Sequence, residues 1–319
     1  MTDLYNFIKK QNLIPEKSKL VIGLSGGPDS VFLLHLLANL QAQGQIDQLI
    51  AAHLDHEWRT DSCKDMEFCR DISKKYGAPF VTAKISDLSI SSKFNGSLEQ
   101  VGRNARRFFF ETVRIKHNAD LIALGHHAQD QQETFFIRLL RGATLTGLAG
   151  MKPKNGFYVR PLLQTNKTEI LNFLHKNKIP YLTDPSNQSD CFLRNRIRNN
   201  LLPVLKQVDS RSEKKLSETI ENLGQTEQLL QQLTKQAFEA VSTKKEGSFI
   251  LDTKKLFSLH PILYKRVLMH WLCIEKLPFP ASKGFFEEMI KFLQTPKGGN
   301  HQLHHDWKMI KKWGKAKIG

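Results

Sequence analysis

The sequence contains few cysteines and no long apolar run. Its four cysteines are Cys63, Cys69, Cys191 and Cys273, and none belongs to a C-x-x-C pair. Four scattered thiols are too few for a disulfide framework, and no apolar stretch approaches the length of a membrane span. The first eleven residues are of mixed polarity and lack the apolar region of a signal peptide. We therefore expect a cytoplasmic protein with no membrane association.

Two common phosphate-binding motifs are also missing. The stretch Leu24–Ser30 has no lysine after its glycines, which excludes a Walker A loop, and its glycines lack the G-x-G-x-x-G spacing. Apolar runs flank it at Leu20–Leu24 and Val31–Leu40. This order predicts a buried strand, a tight loop and a buried helix whose N-terminus attracts an anion such as phosphate. The alternative is an ordinary glycine turn with Asp29 or Ser30 as helix N-cap.

The positive charge is unevenly distributed along the chain. The net charge is +16, of which residues 1–190 contribute +5 from 24 basic and 19 acidic side chains. Residues 191–319 contribute +11 from 23 basic and 12 acidic side chains. A strongly basic C-terminal part favours a polyanionic partner, most simply nucleic acid, although a surface that only promotes solubility is the alternative.

Polar residues follow two of the further strands that the apolar pattern predicts. His53-Leu54-Asp55-His56 ends the strand 49–54, and Gly125–Thr134 follows the strand 119–125. Open parallel sheets bind ligands at the carboxyl ends of their strands, so both segments are candidates for a nucleotide site. Zinc is not favoured at the first segment, because residues i and i+2 of a strand share a face and i+3 does not. Solvated loop residues remain the alternative.

Three pairs of charged residues have helical spacing. Arg103 and Arg106 are placed to hold phosphates or a carboxylate, or else form a solvated basic face. Asp130 and Glu133 are placed to hold magnesium or an ammonium group, or else complement a helix dipole. A third pair, four residues apart, is suited to clamping an RNA phosphate, and consists of Arg194 and Arg198.

The C-terminal third has a different pattern from the rest. We predict a catalytic domain over residues 1–207, a helical linker over 208–240 and a small α-rich domain over 241–319. The last contains predicted helices at Pro261–Trp271 and Gly284–Leu293 and a terminal hairpin at His301–Ile310. Trp307 and Trp313 lie among lysines and are expected either to stack on RNA bases or to pack in the domain. The histidines at 301, 304 and 305 are expected at the surface or in contact with RNA rather than on a metal.

Taken together, these motifs resemble the tRNA(Ile)-lysidine synthase family of PP-loop ATP pyrophosphatases, over about the first two-thirds of the chain. The resemblance implies an α/β fold with a parallel sheet, of the adenine nucleotide alpha hydrolase-like type. The motifs that carry it are Ser25–Ser30, His53–His56 with Arg59, Glu99…Arg103…Arg106, Gly125–Thr134, Arg141-Gly142, Gly147-Leu148, Arg160-Pro161-Leu162, Asp184–Asn187, Arg194–Arg198 and Leu202-Pro203.

The resemblance also implies a reaction. ATP would adenylylate the 2-carbonyl of the wobble cytidine in a CAU anticodon of tRNA(Ile), and the ε-amine of L-lysine would then displace AMP. Mg²⁺ is the implied cofactor, and a homodimer is left open. The alternative is another PP-loop ligase acting on a small molecule or on a different tRNA base. The lack of a C-x-x-C pair counts against a cysteine-dependent tRNA thiolase.

Site residues follow from the matched motifs. The implied catalytic residues are Asp29, His126 and Asp130. The implied ATP-binding residues are Ser25, Gly26, Gly27, Pro28, Asp29, Ser30, His53 and Asp55. Lysine would be bound by Asp130, Glu133 and Arg103, tRNA by Arg106, Arg194 and Arg198, and Mg²⁺ by Asp29 and Asp130. Gln129 stands where the family often has an acid, so only Asp130 is carried over as a ligand and Gln129 is expected to be dispensable.

Overall fold

The structure is a computed structural model that describes residues 2–57, 62–88, 98–183, 192–245, 247–277 and 282–319. The predicted motif residue Arg59 and the predicted turn Asp184–Asn187 lie outside these ranges. The chain divides into two compact units, Met1–Gly224 and Gln225–Gly319. Within the described ranges, no helix combines the length and the apolar character that crossing a bilayer requires.

The first unit contains a six-stranded sheet with the order β3-β2-β1-β4-β6-β5. Every pairing is parallel except that of β5 with β6, which confirms the predicted parallel α/β sheet. The strands are β1 (Ser18–Gly23), β2 (Ile46–Asp55), β3 (Phe80–Lys84), β4 (Leu121–Ala123), β5 (Lys154–Asn155) and β6 (Tyr158–Val159).

Nine helices described in this unit alternate with these strands or follow them. They are α1 (Thr2–Lys10), α2 (Pro28–Ala42), α3 (Ser62–Lys75), α4 (Leu98–Lys116), α5 (Ala128–Leu140), α6 (Leu145–Leu148), α7 (Lys167–Lys176), α8 (Leu193–Arg196) and α9 (Leu202–Val208). A 3-10 turn spans Ile85–Asp87 and a π-helical segment spans Ile197–Leu201. The long helix α10 (Ser212–Val241) begins in this unit and ends in the second one, and it spans most of the residues predicted as a helical linker.

Both faces of the parallel sheet are buried. Along β1, Leu20 and Ile22 face the apolar cluster that contains α2, while Val21 faces a second cluster containing Phe109 of α4. Successive strand residues point to opposite faces, so a strand covered on both sides must be apolar throughout. This explains the uninterrupted apolar run at Leu20–Leu24. Helix α2 is buried around most of its circumference, as the sequence predicts.

The second unit packs helices against a five-stranded antiparallel sheet with the order β7-β8-β11-β10-β9. Helices α12 and α13 and the terminal hairpin lie where they are predicted, but three strands were not predicted. The unit is therefore rich in helix, as predicted, but not all-helical. Its elements after α10 are β7 (Ser242–Lys245), β8 (Ser248–Asp252), α11 (Thr253–Phe257), α12 (Pro261–Ile274), α13 (Lys283–Gln294), β9 (Gly299–His304), β10 (Trp307–Lys312) and β11 (Lys315–Ile318).

Candidate active site

The candidate site lies at the switch point of the parallel sheet. The chain runs from β1 outward to β2 and β3, and it then returns to place β4 on the other side of β1. Ligands of open α/β sheets bind in the crevice where the strand order reverses, at the carboxyl ends. The loop Ser25–Ser30 follows β1 and the segment Gly125–Asp130 follows β4, so the topology brings the two principal motifs together.

The loop after β1 is held in one shape by its own hydrogen bonds. The Ser25 N–H donates to Ser30 Oγ at 3.2 Å, and that hydroxyl donates to the Gly27 carbonyl at 2.9 Å. Gly26 has a φ of +80°, and a Cβ there would lie 2.7 Å from Leu182 Cδ1. Only glycine fits this conformation in this space. Helix α2 starts after Gly27 with no side-chain cap, so neither Asp29 nor Ser30 is the N-cap.

The segment after β4 packs directly against this loop. A Cβ on Gly125 would lie 3.2 Å from the backbone carbonyl of Asp29, so a larger residue would separate the two segments. Asp29 itself is a first-turn residue of α2, and its carboxylate is partly exposed. The close approach places the Asp29 carboxylate next to the start of α5.

Asp29 and Asp130 meet at one histidine. His127 Nε2 lies 3.7 Å from Asp29 Oδ2 and 3.7 Å from Asp130 Oδ2. Asp130 also accepts the backbone N–H of His127 at 2.9 Å. Burial alone would raise the pKa of Asp130, but the neighbouring His127 and His126 and this backbone bond hold it below its usual value. Asp130 is therefore an anion at neutral pH.

Lys167 is the closest charged partner of Asp29. Its Nζ donates to the two carboxylate oxygens at 2.6 and 2.7 Å. The sequence motifs did not include this residue. Asn166 caps α7 by accepting the Thr168 N–H, so Lys167 is the first residue of that helix. A cation in the first turn opposes the helix dipole, and this was the available signal that Lys167 has a specific partner.

Gln129, in the first turn of α5, links that helix to the start of α7. Its Nε2 donates to Asn166 Oδ1 at 2.9 Å, and its Oε1 accepts the Lys167 N–H at 2.9 Å. The amide can both donate and accept, whereas the acid that the family often has can only accept when ionised. The bonds indicate that Gln129 positions the N-terminus of α7 and with it Lys167.

Glu133 is fully buried and lies between two arginines. Arg198 Nε donates to Glu133 Oε1 at 2.6 Å, and Arg194 Nε lies 2.9 Å from Oε2. Burial raises the pKa of Glu133, and the two arginines oppose that rise. These contacts assign Glu133 to holding α8 and the π segment against α5. Arg194 and Arg198 therefore lie next to an acid of the site. Both were predicted to bind tRNA, and that role stays a prediction. The lysine-binding role of Glu133 stays a prediction.

His126 lies among positive charges. Burial lowers its pKa to about 4, and Arg160, Arg194 and Arg103 add to this effect while Asp130 opposes it. The imidazole is therefore neutral at physiological pH, and its Nδ1 has no hydrogen-bond partner among the described residues. A neutral histidine surrounded by arginines can donate a hydrogen bond to an anion without itself carrying charge.

The predicted ATP-binding residues of β2 have partners within the protein. His53 Nδ1 lies 2.9 Å from the Leu24 carbonyl, directly beneath the loop after β1. Asp55 accepts the Glu57 N–H and the Ser62 hydroxyl, at 2.8 and 3.0 Å. Both side chains are buried. They brace the loop and the start of α3, and whether they also contact ATP stays a prediction.

Arg106 lies apart from the Asp29–Asp130 cluster. It is exposed on α4. Burial of His56 lowers the pKa of that histidine to about 4, and the charge of Arg106 adds to this effect. Arg103 lies on the same helix and its charge reaches His126 instead. The charge of Arg106 therefore acts on a residue after β2, and that of Arg103 on a residue after β4.

The residues present fit Mg²⁺ better than a transition metal. The described residues contain no group of three histidine, cysteine or acidic side chains that could hold an ion. Mg²⁺ is often held by one or two carboxylates together with substrate phosphates, which is what Asp29 and Asp130 offer. Cys69 approaches the loop but is buried, and burial raises the pKa of its thiol to about 12. That thiol therefore stays protonated at neutral pH and is a poor nucleophile.

Comparisons with known proteins agree with this geometry. A family model described as a PP-loop domain matches residues 2–205. A U34-tRNA thiolase from Methanococcus maripaludis, solved with its [4Fe-4S] cluster, aligns with a TM-score of 0.58 and 19% identity, over 70% of this chain and 79% of that one. At that identity the likeness concerns the fold alone. The fold and site thus define a PP-loop enzyme, a class that uses ATP.

The sequence relatives are more specific. The chain is 33% identical to a tRNA(Ile)-lysidine synthase from Bacillus cereus (strain ATCC 10987 / NRS 248), over 98% of this chain and 68% of the relative. It is 37% identical to one from Bacillus subtilis (strain 168), over 92% of this chain and 64% of the relative. The chain belongs to the tRNA(Ile)-lysidine synthase family. It spans about two thirds of the length of these relatives.

Proposed function

We propose that this chain ligates L-lysine to the 2-carbon of the wobble cytidine in the CAU anticodon of tRNA(Ile), with ATP as the energy source. The observation that carries the proposal is the meeting of Asp29 and Asp130 at His127, beside a glycine loop at the switch point of the sheet. Family relatives that bear the name tRNA(Ile)-lysidine synthase support the choice of substrates.

The chemistry requires two displacements. The cytidine 2-oxygen attacks the α-phosphorus of ATP, so that an O–P bond forms and pyrophosphate leaves. The lysine ε-amine then attacks carbon 2 and gives up a proton, and AMP departs with the oxygen. A carbonyl oxygen is a poor leaving group, and the first step converts it into a phosphate ester.

The loop after β1 and the N-terminus of α2 would hold the pyrophosphate part of ATP. The helix start has no side-chain cap, and its dipole favours an anion. Lys167 is held at Asp29, and its ammonium group would add a positive charge beside the phosphates. Mg²⁺, held by Asp29 and Asp130, would neutralise charge that develops on the departing oxygens.

His126 would donate a hydrogen bond to the α-phosphate. Its depressed pKa keeps the imidazole neutral, so that it can bind the anion and does not neutralise Asp130. Preorganised donors aimed at developing charge commonly contribute several kcal/mol to a rate. Arg160, whose charge also acts on this histidine, would stabilise the same phosphate.

The lysine substrate offers two ammonium groups and a carboxylate. Asp130 is the accessible acid of the α5 pair, because Glu133 is fully buried between arginines. We assign Asp130 to an ammonium group and Arg103, for which the described residues supply no ion pair, to the carboxylate. Glu133 would act through Arg198, which lies 3.9 Å from Asp130.

Product formation tests the proposal. The full chain is incubated with ATP, Mg²⁺, labelled L-lysine and an unmodified tRNA(Ile) transcript, and both pyrophosphate and labelled RNA are measured. RNA labelling and pyrophosphate release beyond one equivalent per RNA should require both lysine and the tRNA, because the first displacement alone needs no lysine. A transcript with uridine at the wobble position should be inert. Release that needs no RNA would instead support a small-molecule ligase. Labelling of the uridine transcript would support a different target base.

A further inference from the structure

One face of the second unit's sheet is basic, and the strands β10 and β11 carry most of its charge. Residues of β10 and β11 alternate between the core, where Met309, Ala316 and Ile318 are buried, and the opposite face. That opposite face carries four exposed lysines on two adjacent strands, which we name the lysine face: Lys308, Lys312, Lys315 and Lys317.

The arrangement of these lysines lowers the stability of the folded sheet. Lys312 and Lys315 are direct cross-strand partners, and like charges in that position repel each other. The described residues supply no ion pair for any member of the lysine face. Asp252 is paired with Lys315 across the sheet, but its carboxylate accepts the Lys255 N–H as the cap of α11. The positive charge of this face is therefore available to a partner.

A tryptophan stands at the tip of the same two strands. Trp313 is 97% exposed, and it forms with Gly314 the two-residue turn between β10 and β11. Both turn residues have positive φ, at +47° and +74°, a conformation that favours asparagine and glycine. A bulky residue there has no structural advantage, since its ring makes almost no contact with the protein. Trp307 differs, because it packs against the core of this unit.

We propose that Trp313 and the lysine face form an RNA-binding surface, in which the indole stacks on an unpaired base and the lysines contact the flanking phosphates. An exposed aromatic ring among cations suits a nucleic acid with a splayed base, because stacking needs a free π-face and phosphates need positive charge. A fully paired duplex would use the lysines but not the ring, because its bases are already stacked on one another. Only the identity of the bound RNA, tRNA(Ile), rests on the proposed function.

Binding of a labelled RNA stem-loop and of a blunt RNA duplex of the same length tests the surface. The full chain is used without ATP or lysine, at several salt concentrations. We expect the stem-loop to bind more tightly than the duplex. Trp313→Asn should weaken stem-loop binding about tenfold, remove that preference and leave the salt slope unchanged, since stacking releases no counterions. Asparagine suits the turn, so the melting temperature should not fall.

The phosphate contacts have their own signature. The double variant Lys312→Gln/Lys315→Gln should lower the slope of log affinity against log salt by about 1 to 2. Lys283→Gln is the matched control, because Lys283 is 92% exposed and lies on α13 of the same unit. A Trp313→Asn variant with unchanged affinity and preference would overturn the stacking contact. A double variant no different from Lys283→Gln would overturn the phosphate contacts. A chain that binds through Trp313 but forms no product would contradict the proposed function and keep this inference.

Discussion

Each unit contains a short ion pair between a buried glutamate and a partly buried arginine, and in the first unit that arginine also approaches the candidate site. Glu133 and Arg198 are 2.6 Å apart in the first unit, and Glu227 and Arg266 are 2.6 Å apart in the second. In the first unit, Arg198 also approaches Asp130 and so reaches the carboxyl ends of the strands. In the second, Arg266 also donates to Thr234 and fastens α12 to α10. A buried ion pair is therefore no sign of chemistry in itself, and its position relative to the sheet decides its role.

The lysines of the two units also differ in whether an acid holds them. In the first unit, the lysine that matters most, Lys167, is held by Asp29 within the site. In the second, the lysine face has no ion-pair partner among the described residues. Converging charges suit the binding of small ions and phosphates in a fixed geometry, whereas free surface charges suit a large polyanion.

The largest expected effect comes from Asp29. Asp29→Asn keeps the shape of the side chain and removes its charge, so pyrophosphate release should fall by at least about 100-fold. The free energy of unfolding should change by no more than about 1 kcal/mol, because the carboxylate is partly exposed. Asp47→Asn, which removes a solvent-exposed partner of Lys19, is the control and should keep normal activity. A folded Asp29→Asn enzyme with normal turnover would contradict the assignment of the loop.

Next are the two buried glutamates, which test the comparison directly. Glu133→Gln and Glu227→Gln should each lower the free energy of unfolding by about 1–3 kcal/mol in denaturant titrations, because each removes a buried charge that faces a partly buried arginine. Only Glu133→Gln should also raise the lysine concentration needed for half-maximal pyrophosphate release. Equal effects of the two variants on lysine use would mean that the position of the pair does not matter.

Titration of His126 gives a smaller effect with a defined sign. Its pKa is lowered from 6.5 to about 4 in the folded chain, so the unfolded state binds more protons between these values. Stability should be fully present above pH 6.5 and should fall as the pH drops toward 4, by at most about 3 kcal/mol. His126→Asn should flatten this part of the pH profile. A variant with the same slope as the wild type would show that His126 is not the group that titrates.

Gln129 should have the smallest effect. Gln129→Asn is one methylene too short to reach both Asn166 and Lys167, and it should cost about 1 kcal/mol and reduce activity modestly. Gln129→Glu retains the oxygen that accepts the Lys167 N–H and should be the milder change. Measuring the activity and melting temperature of both variants tests whether Gln129→Asn is the more damaging change. If Gln129→Asn equals the wild type in both, the original expectation that the residue is dispensable holds.

Much of the fold could be predicted because its signals are local. The run at Leu20–Leu24, the Gly26-Gly27 turn and the buried helix that follows each have a short-range physical cause, and the structure confirms them. The strands β7 and β11 were not predicted, since Ser-Thr-Lys-Lys and Lys-Ala-Lys-Ile are short and largely polar. Their stability comes from partners that are distant in sequence, and no local pattern reveals those.

The same limit applies to the site. The sequence placed Asp29, His126 and Asp130 at strand ends, which was sufficient to predict that they converge. It could not show that Glu133 faces Arg194 and Arg198, because that contact joins helices about 60 residues apart, a separation that no local period describes. Lys167 was missed for the same reason, since its contact with Asp29 depends on how α7 packs beside α2.

The central claim is that converging charges of the first unit do the chemistry and free charges of the second unit hold the RNA. The most direct test measures the affinity of the full chain for tRNA(Ile) and for Mg·ATP across a range of salt concentrations, with and without Lys312→Gln/Lys315→Gln. Free surface charges are screened by salt, while buried and coordinated ones are screened much less. Affinity for tRNA should fall steeply with salt, less steeply in the double variant, and affinity for Mg·ATP should change little in either. Parallel salt slopes for the two ligands, or a tRNA slope that the double variant does not alter, would contradict this division of labour.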